Sequence, residues 1–177
     1  MERWFWYFVM YSFLGYGMEK GFAWATRAEK RTRKCFLLLP LCPVYGLGVL
    51  AVLALPPALL TLPWGFLTGA MVTTAVEYAA HWAYDRGLGV QFWDYSGLAG
   101  SLRGRVCLPF TLLWGVLIVL AVRVIQPGVE HLVSRIPAFA TYGMLLLFTA
   151  DAVCSAFFLA RTHDTEGLHL RSVRRTY

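Results

Sequence analysis

Charged residues are scarce in this sequence. Asp, Glu, Lys and Arg together make up 15% of the 177 residues, whereas hydrophobic residues make up 58%. A soluble globular domain carries about 25% charged residues, because its surface has to interact with water. The composition therefore argues against a soluble domain and favours an integral membrane protein.

Several chemical motifs are absent as well. The sequence has no GxxxxGK[ST] phosphate loop, so we do not expect it to hydrolyse a nucleotide itself. Its four cysteines lack CxxC spacing and are expected to be thiols packed like small hydrophobic side chains. No complete set of metal ligands is present, and we expect neither a metal nor a cofactor. The first apolar run is too long and too aromatic for a signal peptide.

Long apolar runs dominate the sequence instead. A membrane-spanning helix needs about 20 mostly apolar residues, and five segments reach that length. They predict an all-α fold, a single helical membrane domain over residues 1–177 built as a bundle of five transmembrane helices. The spans are expected at about 4–25, 36–55, 58–84, 106–122 and 137–160.

Two pairs of glycines have the GxxxG spacing that lets membrane helices approach each other closely. They are Gly17 with Gly21 in the first span and Gly65 with Gly69 in the third. We expect close contacts between helices at both pairs.

Positive charge is distributed unevenly among the connections. The segments 27–35, 85–106 and 161–177 hold twelve Lys and Arg residues, whereas the opposite side holds three. Because Lys and Arg are retained on the cytoplasmic side, this asymmetry predicts an outside N-terminus and a cytoplasmic C-terminus. We expect a multi-pass protein of the cytoplasmic membrane, with the basic run at 27–34 close to anionic lipid.

Acidic side chains inside the predicted spans are the strongest functional signal. Glu19 and Glu77 lie at similar depth toward the cytoplasmic side. An acid within a membrane costs about 3 kcal/mol on insertion scales, so such residues usually face a bundle interior or a water cavity. We expect a site for a cation, a proton or a polar substrate group; structural pairing, of Glu19 with Lys20 or of either acid with Arg103 or Arg105, is the alternative. Asp151 is either a partner for a hydroxyl such as Thr149 or Ser155, or a relay acid.

The loop at 85–106 is longer than a connection between membrane helices needs to be, and long loops are often functional. Asp94 within it is either a turn or helix N-cap residue, or one edge of the polar site. Trp93 and Tyr95 are interpreted as aromatic residues of the membrane interface.

Histidine and arginine near this loop have two interpretations each. His81 follows Glu77 by four residues and could be half of a metal pair, but a hydrogen-bonded histidine fits better because a third ligand is missing. Arg103 and Arg105 either bind a phosphate or carboxylate through their guanidinium groups, or anchor the fourth helix at the cytoplasmic side.

Four stretches of the chain share a wider pattern: YSFLGYGMEK, LLLPLCPVYGLG, VEYAAHWAYD and FWDYSGLAGSLRGRVCLPFTLLWG. In this order they resemble four segments of the putative ABC-transporter type IV family, also called CmpB-like. These are its first-helix pattern, its "GPLCPIYG" segment, its helix-three glutamate segment and its "WDYS…N…G.IC…WG" block. The resemblance covers about residues 8–118. It departs from the family pattern at Tyr16, where tryptophan is frequent, and near Ser101, where asparagine is frequent.

This resemblance implies a permease-like membrane transport component that works with a separate ATPase. Two alternatives stay open. One is a membrane-embedded enzyme acting on a lipid or other amphiphile, and the other is a non-catalytic subunit of a membrane complex. Expected partners are membrane lipids and a second copy or a partner subunit, without nucleic acid. The candidate substrate-binding residues near the cytoplasmic side are Glu19, Tyr45, Glu77, His81, Asp94, Arg103 and Arg105.

Overall fold

Six α-helices account for most of the chain in the computed structural model, which describes residues 2–26, 35–165 and 167. A 3₁₀ turn at Pro57–Leu60 precedes the third helix, and the described residues contain no β-strand. The expected all-α fold is confirmed for this part of the chain. The helices are α1 Glu2–Ala25, α2 Pro43–Leu53, α3 Trp64–Leu88, α4 Leu108–Leu120, α5 Gln126–Val133 and α6 Ala138–Thr162.

Two helical stretches are long and apolar enough to cross a membrane, judged by length and composition. They are Leu108–Val133, which contains α4 and α5, and Ala138–Thr162, which is α6. Only 22% and 11% of their most apolar stretches are buried inside the protein. A core helix of a soluble protein would be mostly buried, so these exposed apolar faces support a membrane location.

The stretch from α4 to α5 is longer than the sequence predicts. Helix was expected to end near residue 122, but a π turn at Ala121–Ile125 carries it on to Val133. The N–H of Gln126 donates to the carbonyl of Ala121, five residues back, and the next residue, Pro127, has no N–H to donate. A helix can therefore accommodate this proline by widening one turn instead of ending.

The start of α2 also differs from the prediction. Helix was expected from about residue 36, whereas α2 begins at Pro43 and is 11 residues long. At 1.5 Å per residue this is about 16 Å, roughly half the thickness of a bilayer core. The preceding residues, 35–42, are not helical.

Asp151 of α6 stabilises this non-helical segment. Its two carboxylate oxygens accept hydrogen bonds from the backbone N–H groups of Leu38 at 3.0 Å and Leu39 at 2.7 Å. The hydroxyl of Ser155 donates to the same carboxylate at 3.1 Å, as one interpretation of the sequence expected. Backbone groups outside a helix need such partners when water is excluded. The two bonds to Asp151 therefore explain how the backbone at Leu38 and Leu39 can be non-helical.

The glycines that permit close helix contacts are only partly those expected. The prediction is wrong for Gly17 and Gly21 as far as the described residues go, because a Cβ atom at either position would meet none of their atoms within 4 Å. Gly69 does lie against another helix, with Ile118 of α4 2.6 Å from the position of an added Cβ. The contact of α1 with α2 depends on Gly15, which lies under the ring of Tyr45.

Gly46 of α2 makes the closest approach to α1. A Cβ at this position would lie 2.6 Å from the backbone oxygen of Phe8 and would also collide with the hydroxyl of Ser12. We therefore expect Gly46→Ala to lower the melting temperature in detergent by several degrees, because a backbone atom cannot move aside. Gly17→Ala is the control and should leave the melting temperature equal or slightly higher, since Ala favours a helix. Equal melting temperatures for the two variants would contradict this account of the interface.

Candidate functional site

A cavity of about 80 Å³ lies between α1, α2, α3, α4 and the loop that joins α3 to α4. Two carboxylates, Glu19 and Glu77, supply its charged groups. Most of the remaining lining residues are aromatic, and two tyrosines and two tryptophans are among them. The aromatic residues that line the cavity are Phe22, Tyr45, Trp93, Tyr95, Phe110 and Trp114.

Glu77 is held by two neutral hydrogen-bond donors. The hydroxyl of Tyr95 donates to Oε1 at 3.1 Å, and the indole Nε1 of Trp114 donates to Oε2 at 2.9 Å. The side chain is 4% exposed. Since the donors come from the loop and from α4, the carboxylate of Glu77 joins three parts of the chain around the cavity.

Glu19 is held less completely. The hydroxyl of Tyr45 donates to Oε1 of Glu19 at 2.9 Å. Oε2 has no hydrogen-bond partner among the residues that the structure describes. The ring of Tyr45 lies over Gly15, one helical turn before Glu19, and its centroid is 4.8 Å from that of Trp114. Tyr45 therefore lies between the two glutamates and connects α1 with α4.

Neither glutamate forms an ion pair within the described ranges 2–26 and 35–165. The ammonium group of Lys20 lies 5.8 Å from the ring of Tyr16. Structural pairing of Glu19 with Lys20 is therefore not found in this structure. Among the described residues, the hydrogen-bond donors to both carboxylates are neutral groups, in a cavity whose other surfaces are largely apolar.

Arg105 lies outside the cavity and fastens the loop to α3. Its Nη2 is 2.9 Å from Oδ2 of Asp85, and its Nη1 donates to the hydroxyl of Tyr78 at 3.2 Å. The amide of Gln91 donates a further hydrogen bond to Oδ1 of Asp85 at 3.2 Å. Arg103 is exposed and has a φ of 56°. Neither of these two candidate substrate-binding residues lines the cavity.

His81 and Asp94 also lie outside the lining of the cavity. Nε2 of His81 is 3.0 Å from the carbonyl oxygen of Trp93, the arrangement of a hydrogen-bonded histidine. In the described part of the chain no three His, Cys, Asp or Glu side chains are grouped to hold a metal ion. Oδ1 of Asp94 accepts hydrogen bonds from the backbone N–H of Ser96 at 2.9 Å and from its hydroxyl at 2.6 Å. These bonds lower the pKa of Asp94 and identify it as a turn residue.

Hydrogen bonds and close contacts within the loop direct its aromatic side chains into the cavity. The N–H of Tyr95 donates to the carbonyl of Gly104 at 2.8 Å, and Nε1 of Trp93 donates to the carbonyl of Arg105 at 2.9 Å. Gly104 has a φ of 70° and lies so close to Asp94 that a side chain would not fit. The loop thus folds back on itself and places Tyr95 and Trp93 inward.

Tyr95 and Trp114 donate hydrogen bonds to Glu77 but are not among the candidate residues predicted from the sequence. Tyr95 was interpreted as an interface residue, yet its ring stacks on Phe110 at 4.8 Å and its hydroxyl binds Glu77. Burial raises the pKa of Tyr95 well above its ordinary value, so its hydroxyl stays protonated and acts as a donor. The sequence offered one indication of these contacts. Buried Tyr and Trp side chains usually have a hydrogen-bond partner for the polar atom of the ring, so an acceptor was to be expected near each.

Comparison with known proteins gives one match. The model of the family described as "Putative ABC-transporter type IV" matches residues 6–157, a range that includes every residue lining the cavity. No curated protein and no solved structure matches the chain. The resemblance found in the sequence is thereby confirmed.

Arg105 and Arg103 offer a matched pair of substitutions. We expect Arg105→Ala to lower the melting temperature by several degrees, because it removes the ion pair with Asp85 and the hydrogen bond to Tyr78 at once. Arg103→Ala should change the melting temperature little, since this side chain is exposed. A thermal unfolding series in one detergent measures both. An equal loss for the two variants would mean that Arg105 does not fasten the loop.

Proposed function

We propose that this chain, which belongs to the family described as "Putative ABC-transporter type IV", is a small permease-like component of a membrane transport system. Its polar site is the cavity between Glu19 and Glu77, near the cytoplasmic side of the membrane. The observation that carries the proposal is that two acids from different helices line one cavity without a basic partner among the described residues. Ionisable groups within membrane helices usually mark the pathway of an ion or substrate.

The hydrogen bonds of the cavity support binding over a purely structural role. A structural acid in a membrane is expected to have a hydrogen bond on each carboxylate oxygen, as Glu77 has. Oε2 of Glu19 lacks a partner within residues 2–26 and 35–165, and Glu19 lines the same cavity. A substrate can therefore contact Glu19 directly, while Tyr45, Tyr95 and Trp114 hold the two carboxylates in position.

In this proposal the chain crosses the cytoplasmic membrane five times. The crossings are α1, the segment 35–53, α3, α4 with α5, and α6, with the N-terminus outside and the C-terminus in the cytoplasm. Non-helical backbone within a bilayer is tolerated where it is covered by protein. The hydrogen bonds of Asp151 to Leu38 and Leu39 provide such cover for the second crossing.

Energy for transport would come from a partner. The sequence contains no phosphate loop, so a separate ATPase subunit is the proposed source. The exposed apolar side chains of α6, among them Phe139 and Leu146, are available to lipid, to a second copy or to that subunit.

Cysteine labelling tests the orientation. Gly97 in the α3–α4 loop has no atom within 4 Å of an added Cβ, and Arg135 beyond α5 is exposed, so both positions accept a cysteine. In a Cys154→Ser background, an impermeant maleimide should label Arg135→Cys in intact cells. Gly97→Cys should react only after the membrane is permeabilised. Labelling of position 97 in intact cells would overturn the orientation.

Substitution of Glu77 tests the site. In Glu77→Gln the amide oxygen can accept from Trp114, and the amide nitrogen can donate to the hydroxyl of Tyr95. We therefore expect the melting temperature of Glu77→Gln to stay near that of the parent protein, whereas Glu77→Leu should lower it by several degrees because both donors lose their acceptor. Equal losses of melting temperature for Glu77→Gln and Glu77→Leu would indicate that the negative charge of Glu77 itself stabilises the fold.

The same variants test binding. The parent protein is screened for stabilisation by sodium, phosphate, glucose, glycine and tetramethylammonium, and the affinity of each compound that raises its melting temperature is measured by isothermal titration calorimetry in lipid nanodiscs. Stabilisation and binding should both be lost in Glu77→Gln. If no compound stabilises the parent protein, the proposal of a polar substrate site is wrong.

A further inference from the structure

We infer that the cavity binds the head group of an amphiphilic organic cation, an alkylammonium whose apolar tail lies between α1 and α4. This inference rests on the proposed function, because it names the class of substrate for the same site. Charge, the aromatic walls and the mouth of the cavity each contribute to it.

The charge of the cavity calls for a cation. Glu19 and Glu77 both line it, and two carboxylates in a cavity of low polarity repel each other. Their described partners are the neutral groups of Tyr45, Tyr95 and Trp114. A single positive charge placed between the carboxylates would relieve this repulsion and occupy the unpartnered Oε2 of Glu19.

The aromatic walls favour an organic ammonium over a metal ion. Calcium binds six to eight oxygen ligands, and magnesium needs octahedral oxygen coordination. The cavity offers few oxygens besides the two carboxylates, and the hydroxyls of Tyr45 and Tyr95 already donate to them. Aromatic faces instead attract alkylated ammonium groups through cation–π interactions.

The arrangement of the rings leaves a pocket of suitable size. The planes of Tyr45 and Trp114 meet at 54°, so these two rings form a corner instead of a closed stack. Tyr95 and Phe110 lie nearly parallel, at 17°, and form another wall. A cavity of about 80 Å³ has room for several water molecules, and hence for an ammonium group with small alkyl substituents.

The mouth of the cavity is apolar and lies on the side of the bundle. Met18 and Phe22 of α1 and Leu113 of α4 line the cavity, yet they are 40%, 51% and 42% exposed. Phe22 also contacts Phe110 of α4 across this opening, with ring centroids 6.2 Å apart. In the membrane these side chains would face lipid tails. A cation that enters here would therefore carry an apolar tail of its own.

Binding to the full chain in lipid nanodiscs tests the inference. The probes are decyltrimethylammonium, tetramethylammonium, sodium and decyl sulfate, measured by isothermal titration calorimetry with empty nanodiscs subtracted. We expect decyltrimethylammonium to bind at least tenfold more tightly than tetramethylammonium, and decyl sulfate not to bind. Glu19→Gln and Glu77→Gln should each weaken decyltrimethylammonium at least tenfold.

Two further variants separate the head group from the tail. Leu113→Ala should reduce the advantage of decyltrimethylammonium over tetramethylammonium without changing tetramethylammonium itself. Glu130→Gln is the matched control, because Glu130 is exposed and lies outside the cavity lining, and Gln retains the acceptor for Gln126. It should leave binding of both cations unchanged.

The outcomes distinguish this inference from the proposed function. Equal affinity for the two ammonium ions would exclude the apolar tail, and preference for sodium or decyl sulfate would exclude the alkylammonium class. If glucose, glycine or phosphate binds in a Glu77-dependent way and the ammonium ions do not, the inference is wrong and the proposed function stands. If none of these compounds binds, both are wrong.

Discussion

The hydrogen bonds at Glu77 determine the shape of the cavity. This carboxylate is almost fully buried, and each of its oxygens accepts one bond, from Tyr95 of the loop and from Trp114 of α4. Burial without acceptors would be costly for both rings as well, because their polar atoms would lose hydrogen bonds with water. Three separate parts of the chain are therefore held at fixed positions around a small polar centre.

The acids that line the cavity have different partners from Asp85, the acid that binds the loop. Asp85 has Arg105 as a direct partner, so the loop is fastened by an ion pair that is complete within the protein. Glu19 and Glu77 have neutral donors only, within the described residues. Glu77 and Asp85 lie about two turns apart on α3, yet Asp85 fixes the fold whereas Glu77, together with Glu19 of α1, leaves negative charge in a cavity.

Much of the fold and part of the site could be predicted from the sequence. Apolar run lengths indicated an all-α fold, and the cost of acids in a membrane indicated that Glu19 and Glu77 face a bundle interior or a water cavity. The contacts of Tyr95 and Trp114 could not be predicted, because these residues lie 18 and 37 positions from Glu77 and no periodicity relates them. The GxxxG spacing gave a wrong prediction for Gly17 and Gly21 for a similar reason, since this pattern does not show which face of α1 packs against another helix.

Asp151 connects the position of α6 to the wall of the cavity. Its bonds to the amides of Leu38 and Leu39 tie α6, a helix with little buried surface, to the segment that continues through Cys42 into Tyr45. A sliding or tilting of α6 must either break these two bonds or pull on that segment. This segment thus links α6, the most loosely packed helix of the bundle, to the wall of the cavity that Tyr45 forms.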